Sequence, residues 1–133
     1  MTLAEEDLKA LTKVRLENAD KALDDAEALF ERDSLRGAAN RVYYAMFYAV
    51  SALAISQGRS FRRHSGLIAY FQKEFVLTGL LNRKHGRALQ KAFEDRSEAD
   101  YQDYAKLTKE QIQARMDEAS DLITAVKDLV YGT

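Results

Sequence analysis

The stretch Glu94-Asp95-Arg96-Ser97-Glu98-Ala99-Asp100-Tyr101-Gln102-Asp103-Tyr104 sets one arginine among acids and two tyrosines, where the helical pattern of the chain gives out. An arginine at a helix end suits a phosphate, because its guanidinium is permanently charged and offers a planar fork of donors. On an unbroken helix Arg96 and Tyr101 would stand about 140° apart, so they converge only if the helix ends between them. The plainer alternative is an exposed pair between Arg96 and Asp100, one turn on, worth a few tenths of a kcal/mol. A second cluster, Arg59-Ser60-Phe61-Arg62-Arg63-His64-Ser65-Gly66, is the most basic short segment. Arg59, Arg62, Arg63 and His64 at a helix start form a candidate anion site, since free N–H groups there favour negative charge. A hydrogen bond that merely orders the loop would equally explain His64. His85, on a basic helix start, reads as a surface residue.

Other chemistries find little support. The only histidines are His64 and His85, cysteine is absent, and no His-Glu-x-x-His arrangement occurs. That argues against a metal centre, a thiolate nucleophile and a disulfide framework. No cofactor is expected. The net charge of −1 gives no global pull toward nucleic acid or anionic lipid, so such binding must rest on a local patch. The polar N-terminus lacks a secretory core and the apolar runs are too short to span a bilayer, which points to the cytoplasm and away from the membrane.

The elements that must position these residues are helical. There is no proline and little glycine in 133 residues, and no alternating strand pattern is found. The fold expected is all-α, a five-helix up-down bundle forming a single domain over residues 1–133. Its centre is Leu35–Ile55, with Leu35, Ala38, Ala39, Val42, Met46, Ala49, Val50 and Leu53 at helical spacing and Tyr43, Tyr44, Phe47 and Tyr48 over much of the other side. A helix so apolar around its circumference must be enclosed by protein. Before it, a first helix is expected from a Thr2/Glu5 capping box to about Arg32, with Leu8, Leu11 and Val14 inward. Its stripe then slips before resuming at Ala19, Ala22, Leu23, Ala26, Leu29 and Phe30. Asp33-Ser34 makes an antiparallel connection with Ser34 as N-cap, and Gly58 closes the central helix. A third helix is expected over about His64 to Phe75. After the Thr78-Gly79 turn, a fourth runs from about Arg83 to Glu98, capped by Asn82. Ser97 to Leu107 reads as loop. The last helix follows a Thr108/Gln111 capping box and carries Ile112, Met116, Ala119, Leu122, Ile123, Val126, Leu129 and Val130 inward.

Four blocks in order resemble the HEPN superfamily, in particular its short single-domain prokaryotic branch. They are Arg41-Val42-Tyr43-Tyr44-Ala45-Met46-Phe47-Tyr48, His64-Ser65-Gly66 before an apolar helix, Phe75-Val76-Leu77-Thr78-Gly79, and Arg96-Ser97-Glu98-Ala99-Asp100-Tyr101. The resemblance implies a helical bundle that dimerises, is often encoded beside a minimal nucleotidyltransferase, and acts with it as toxin and antitoxin. Active members are metal-independent ribonucleases with an Arg, four to six residues, then His; two such motifs face each other in the dimer. Arginine would stabilise phosphorane charge while histidine moves the proton. Here Tyr101 stands where those members have His, and a tyrosine with its pKa near 10 is a poor base at neutral pH.

The expectation is therefore a nucleotide- or RNA-directed binding module, with Arg59, Arg62, Arg63, His64 and Arg96 as contacts and a nucleotidyltransferase as partner. In some such pairs the partner adenylylates a tyrosine near the motif, which by resemblance makes Tyr104 or Tyr101 the acceptor. The first alternative is a ribonuclease toxin using Arg96 with Tyr101, or with His64 if it folds nearby. The second is a non-catalytic helical interaction protein. Arg59 and His64 also have the motif's spacing, but between the second and third helices, a place that the resemblance does not make catalytic. Arg41 or Tyr44 is expected to support the Arg96 segment by hydrogen bonding.

Overall fold

The computed structural model describes residues 4–101 and 107–132, and the side chains of residues 98–101 lie outside that description. Among the described residues five α-helices form the bundle: α1 (Glu5–Glu31), α2 (Leu35–Ser56), α3 (His64–Phe71), α4 (Arg83–Tyr101) and α5 (Lys109–Tyr131). No strand occurs among the described residues.

Helix α2 is the axis of the molecule, packed against α1, α3, α4 and α5. Ala38, Ala39, Val42, Tyr43, Ala45, Met46, Ala49, Val50, Ala52, Leu53, Ala54 and Ile55 are all buried on it. Its alanines face an α1 that buries Ala19, Ala22 and Ala26, so the two backbones approach closely. Full burial of a Val, Leu or Met side chain contributes roughly 1.5–3 kcal/mol, and this stripe supplies much of the core.

Two helix ends close the hairpin's turns. At the end of α1 the amides of Asp33 and Ser34 donate to Phe30 and Leu29 carbonyls, with Asp33 at φ 60° in the left-handed region. At the end of α2 the amides of Gly58 and Arg59 donate to Ile55 and Ala54, with Gly58 at φ 75°. Both are the paired 5→2 and 6→1 bonds that satisfy the last carbonyls of a helix. Aspartate is among the few non-glycine residues that tolerate this backbone, which is why Asp33 can stand where glycine is usual. Ser34 occupies the N-cap position of α2, but its side chain makes no capping bond.

The inward face of α1 differs from the expected one. Leu11 and Val14 are exposed at 40% and 49%, whereas Thr12 and Leu16 are buried. Thr12, Leu16, Ala19, Ala22 and Ala26 form one uninterrupted stripe, so no slip is needed. Thr12 is tolerated inside because its hydroxyl donates to the Leu8 carbonyl at 2.7 Å. Thr2, the expected cap, lies outside the described residues, and α1 begins with Ala4 at the N-cap.

Helix α3 ends earlier than its apolar pattern suggests. A π-helical turn over Gln72–Val76 follows it, and the widened winding keeps Phe75 buried beneath Phe71. Asn82 caps α4 as expected, its Oδ1 accepting from the Lys84 amide at 2.9 Å, and Thr108 caps α5 by accepting from the Gln111 amide at 3.1 Å. On α5, Leu129 is exposed at 37%, outside the buried stripe. His85 is not a surface residue: it is buried between α4 and α5, and burial, then Lys84, pulls its pKa down against the opposing effect of Asp121.

Candidate functional site

Consecutive residues Asp95 and Arg96 point α4 in two directions. Asp95 is buried against α5, where its oxygens accept from Gln111 Nε2 and Arg115 Nε, each at 2.9 Å. Arg115 also donates from Nη1 to Glu118 Oε1 at 2.7 Å. This charged joint fixes α4 on α5 near its C-terminal end. About 100° further round, Arg96 reaches α2. Its guanidinium carbon lies 5.5 Å from the Tyr43 ring centroid and 5.6 Å from that of Tyr44.

The same aromatic pair receives His64, the first residue of α3. Its Nδ1 and the Tyr43 hydroxyl are 3.0 Å apart, within hydrogen-bond reach. Its ring lies 4.1 Å from the Phe47 centroid and 5.9 Å from both tyrosine centroids. The bond that orders His64 thus runs to the core of α2, not to its own helix start. Arg96 and His64 come from different helices, 32 positions apart in number, and both sit within 6 Å of the Tyr43 and Tyr44 centroids.

The electrostatics follow from that placement. Burial, with the Arg96 charge second, holds the His64 pKa below its ordinary 6.5. The imidazole is therefore mostly neutral at pH 7. Burial pushes the Tyr43 hydroxyl up to about 12; Arg96 opposes this and Tyr44 adds to it. Tyr43 stays protonated at any physiological pH and acts as a fixed hydrogen-bonding post. Tyr43 itself is fully buried, also against Phe93 of α4 at 5.7 Å between centroids.

The other basic residues are distributed around this pair. Arg41 is held by Asn40 Oδ1, accepting from its Nε at 3.3 Å and Nη2 at 3.1 Å, and stacks 5.0 Å over Tyr44. Tyr44 is therefore approached by two guanidinium groups. Where a hydrogen bond from Arg41 or Tyr44 to the Arg96 segment was expected, Tyr44 meets Arg96 through its ring, and Arg41 bonds to Asn40. Arg59 stacks on a different aromatic pair, 5.4 Å from Phe61 and 5.1 Å from Tyr70. Arg62 and Arg63 are exposed on the loop that leads into His64.

Helix α4 continues through Tyr101, so the helix end expected between Arg96 and Tyr101 does not occur there. Five residues of one helix separate the two positions by about 140°. The side chain of Tyr101 and the whole of Tyr104 lie outside the described residues. Sequence reasoning left Tyr43 and Phe47 without a role; the signal available was an unbroken Tyr-Tyr-x-x-Phe face on a helix already apolar on its other side.

A family model for the HEPN domain matches residues 12–129. The chain belongs to the HEPN family. The HEPN match reaches from within α1 into the last turn of α5, so the three helices that meet at Arg96 and His64 all lie within it. The chain is similar to a UPF0332 protein of Thermotoga maritima, 38% identical over 112 residues that cover 84% of this chain and 85% of that protein. It is also similar to two proteins of Methanocaldococcus jannaschii, each named "Putative toxin". One is 30% identical over 125 residues, covering 94% of this chain and 92% of the relative. The other is 33% identical over 96 residues, covering 72% and 65%.

Proposed function

We propose that this HEPN protein is an RNA- or nucleotide-directed module that holds a phosphate at Arg96 and His64, and that it is the toxin-like half of a pair with a minimal nucleotidyltransferase. One observation carries the binding site: an arginine and a histidine from separate helices share one aromatic floor. The tyrosine rings hold the guanidinium by cation–π attraction, and a guanidinium is a permanent charge suited to phosphate oxygens. The buried Tyr43 ring and the half-buried Tyr44 ring also strengthen the attraction by keeping water away on one side. Arg62 and Arg63 beside His64, with Arg59 just upstream, supply local positive charge that the chain's net charge of −1 does not.

The toxin-like role rests on the names of the archaeal relatives, and the partner on the resemblance described above. Tyr104 or Tyr101 remains the proposed adenylylation site. A ribonuclease pairing Arg96 with Tyr101 is not favoured, because α4 runs unbroken between them.

Fluorescence anisotropy with a labelled oligoribonucleotide tests the binding reading. Arg96→Ala should weaken binding at least about tenfold, while single alanine changes at Arg59, Arg62 and Arg63 should each weaken it less and flatten its salt dependence. Equal binding by Arg96→Ala and wild type would remove the site, and no binding by wild type would leave the helical interaction protein. Co-expression with the adjacent nucleotidyltransferase gene, followed by intact-mass measurement, should add one adenylyl group that Tyr104→Phe or Tyr101→Phe abolishes.

A further inference from the structure

We propose that the cavity between the first half of α4 and the middle of α5 is a second ligand site, and that it takes a free α-amino acid as a zwitterion, carboxylate to α4 and ammonium to α5. The cavity measures 270 Å³. One water fills about 30 Å³ of liquid, so there is room for a small molecule. The proposal does not depend on the phosphate-binding reading, because Arg96 reaches α2 from another side of α4.

The charges around the cavity are sorted by helix. Lys84, Arg87 and Lys91 recur at three- and four-residue steps along the α4 wall, while Glu118 and Asp121 stand on the α5 wall. Among the described residues no ion pair joins the two walls, and Glu118 pairs instead with Arg115 of its own helix. Opposite charges that face one cavity without meeting leave both walls open to a ligand. A plain anion would be repelled by the two carboxylates, and a plain cation by the three basic groups. A divalent cation lacks its donors, since no group of three His, Cys, Asp or Glu side chains among the described residues could hold a metal ion. A molecule carrying both signs satisfies both walls.

Two polar groups at the same cavity are left incomplete. His85 is only 6% exposed and lines the cavity, and neither of its ring nitrogens is hydrogen-bonded among the described residues. Glu118 Oε2 is buried and likewise takes no hydrogen bond there, while Oε1 accepts from Arg115. Buried polar groups are normally paired, so two such groups at one cavity point to an occupant. The guanidinium fork and the lysine ammonium groups suit a carboxylate. An ammonium between Glu118 and Asp121 supplies the donor that Oε2 lacks. The His85 imidazole, kept neutral at pH 7 by burial and Lys84, offers one donor and one acceptor between those two ends.

The test is an NMR titration of the two histidine imidazole signals of the full chain. The common L-α-amino acids are added singly, with acetate, methylammonium and inorganic phosphate as probes of a single sign. At least one amino acid should shift the His85 signal saturably, leave the His64 signal in place, and raise Tm. Glu118→Gln, which keeps an oxygen for Arg115, should weaken that binding about tenfold, the worth of one charge-assisted hydrogen bond. Lys84→Gln combined with Lys91→Gln, both at exposed positions, should weaken it at least as much. If acetate, methylammonium or phosphate shifts His85 as strongly as the best amino acid, the cavity holds an adventitious ion only and the zwitterion assignment is overturned. No saturable shift with any amino acid, or undiminished binding in both variants, overturns the site itself.

Discussion

At the residue scale, one permanent charge, Arg96, and one imidazole, His64, meet on the rings of Tyr43 and Tyr44. Arg96 depresses the His64 pKa in addition to burial, so removing the charge should raise it. In Arg96→Gln, NMR titration of the His64 Hε1 resonance should give a pKa closer to 6.5 but still below it, since burial remains the larger cause. An unchanged value would mean that the two groups do not interact. Both histidines have folded pKa values below the ordinary 6.5, so the unfolded chain binds more protons as pH falls. Stability is thus fully present above about pH 6.5 and is lost as pH drops toward the lowered folded values. Thermal melts should show a lower Tm at pH 5.5 than at pH 8, with the difference reduced in a His64→Asn, His85→Gln double variant. A Tm that rises on acidification would contradict the burial of both rings. The sequence made Arg96 and His64 visible as separate candidates, because their types and basic or acidic settings are local properties. Their meeting was not visible, because it depends on which face of α2 receives α3 and α4.

At the element scale, α4 is the part whose placement matters most, and two contacts set it. Asp95 and Arg115 are mostly buried partners, with side-chain exposures of 11% and 15%. Asp95→Ala would take one of two carboxylates from the mostly buried Arg115 guanidinium, Glu118 remaining, and should cost about 1.5–3 kcal/mol in chemical denaturation. Replacing both partners by leucine should cost much less, and equal losses in the two variants would contradict this account. Nearer the start of α4, Gln72 in the π turn donates from Nε2 to the Gly86 carbonyl at 3.0 Å. A Cβ at Gly86 would lie 2.4 Å from Gln72 Oε1, so alanine there must displace that side chain. The helix gains about 1 kcal/mol from Gly→Ala, while the lost hydrogen bond costs a similar amount. Gly86→Ala should therefore be near neutral in the wild type and stabilising by about 1 kcal/mol in a Gln72→Ala background. Identical effects in the two backgrounds would show that Gln72 does not contact Gly86.

The helices themselves were legible from periodicity and caps: Asn82, Thr108 and Gly58 mark their ends by chemistry that is local in the chain. The misplaced features share one cause. Thr12 hides its hydroxyl in its own helix, His85 is covered by α5, and the π turn answers to packing around Phe75. None of these depends on residue type alone.

At the scale of the whole molecule, α2 is an enclosed axis with an aromatic face on one side. Its alanine face brings α1 close, and its Tyr43–Tyr44–Phe47 face gathers an arginine from α4 and a histidine from α3. No helix among the described residues is long and apolar enough to cross a membrane. The basic residues Arg59, Arg62 and Arg63 precede His64 on one loop, so positive potential is concentrated near the site although the chain as a whole is slightly acidic. The HEPN family and the all-α bundle could be read from ordered sequence blocks. Of the candidate site, Arg96 and His64 were legible as single residues, while their meeting on Tyr43 and Tyr44 depends on the fold, and the side chain of Tyr101 lies outside the described residues. The most direct test of a shared Arg96–His64 site is the His64 titration repeated with a saturating short oligoribonucleotide. A phosphate bound between the two groups should raise the His64 pKa in the wild type, because a nearby anion favours imidazolium. That rise should be lost in Arg96→Ala. A His64 pKa and resonance unmoved by saturating RNA would contradict the account.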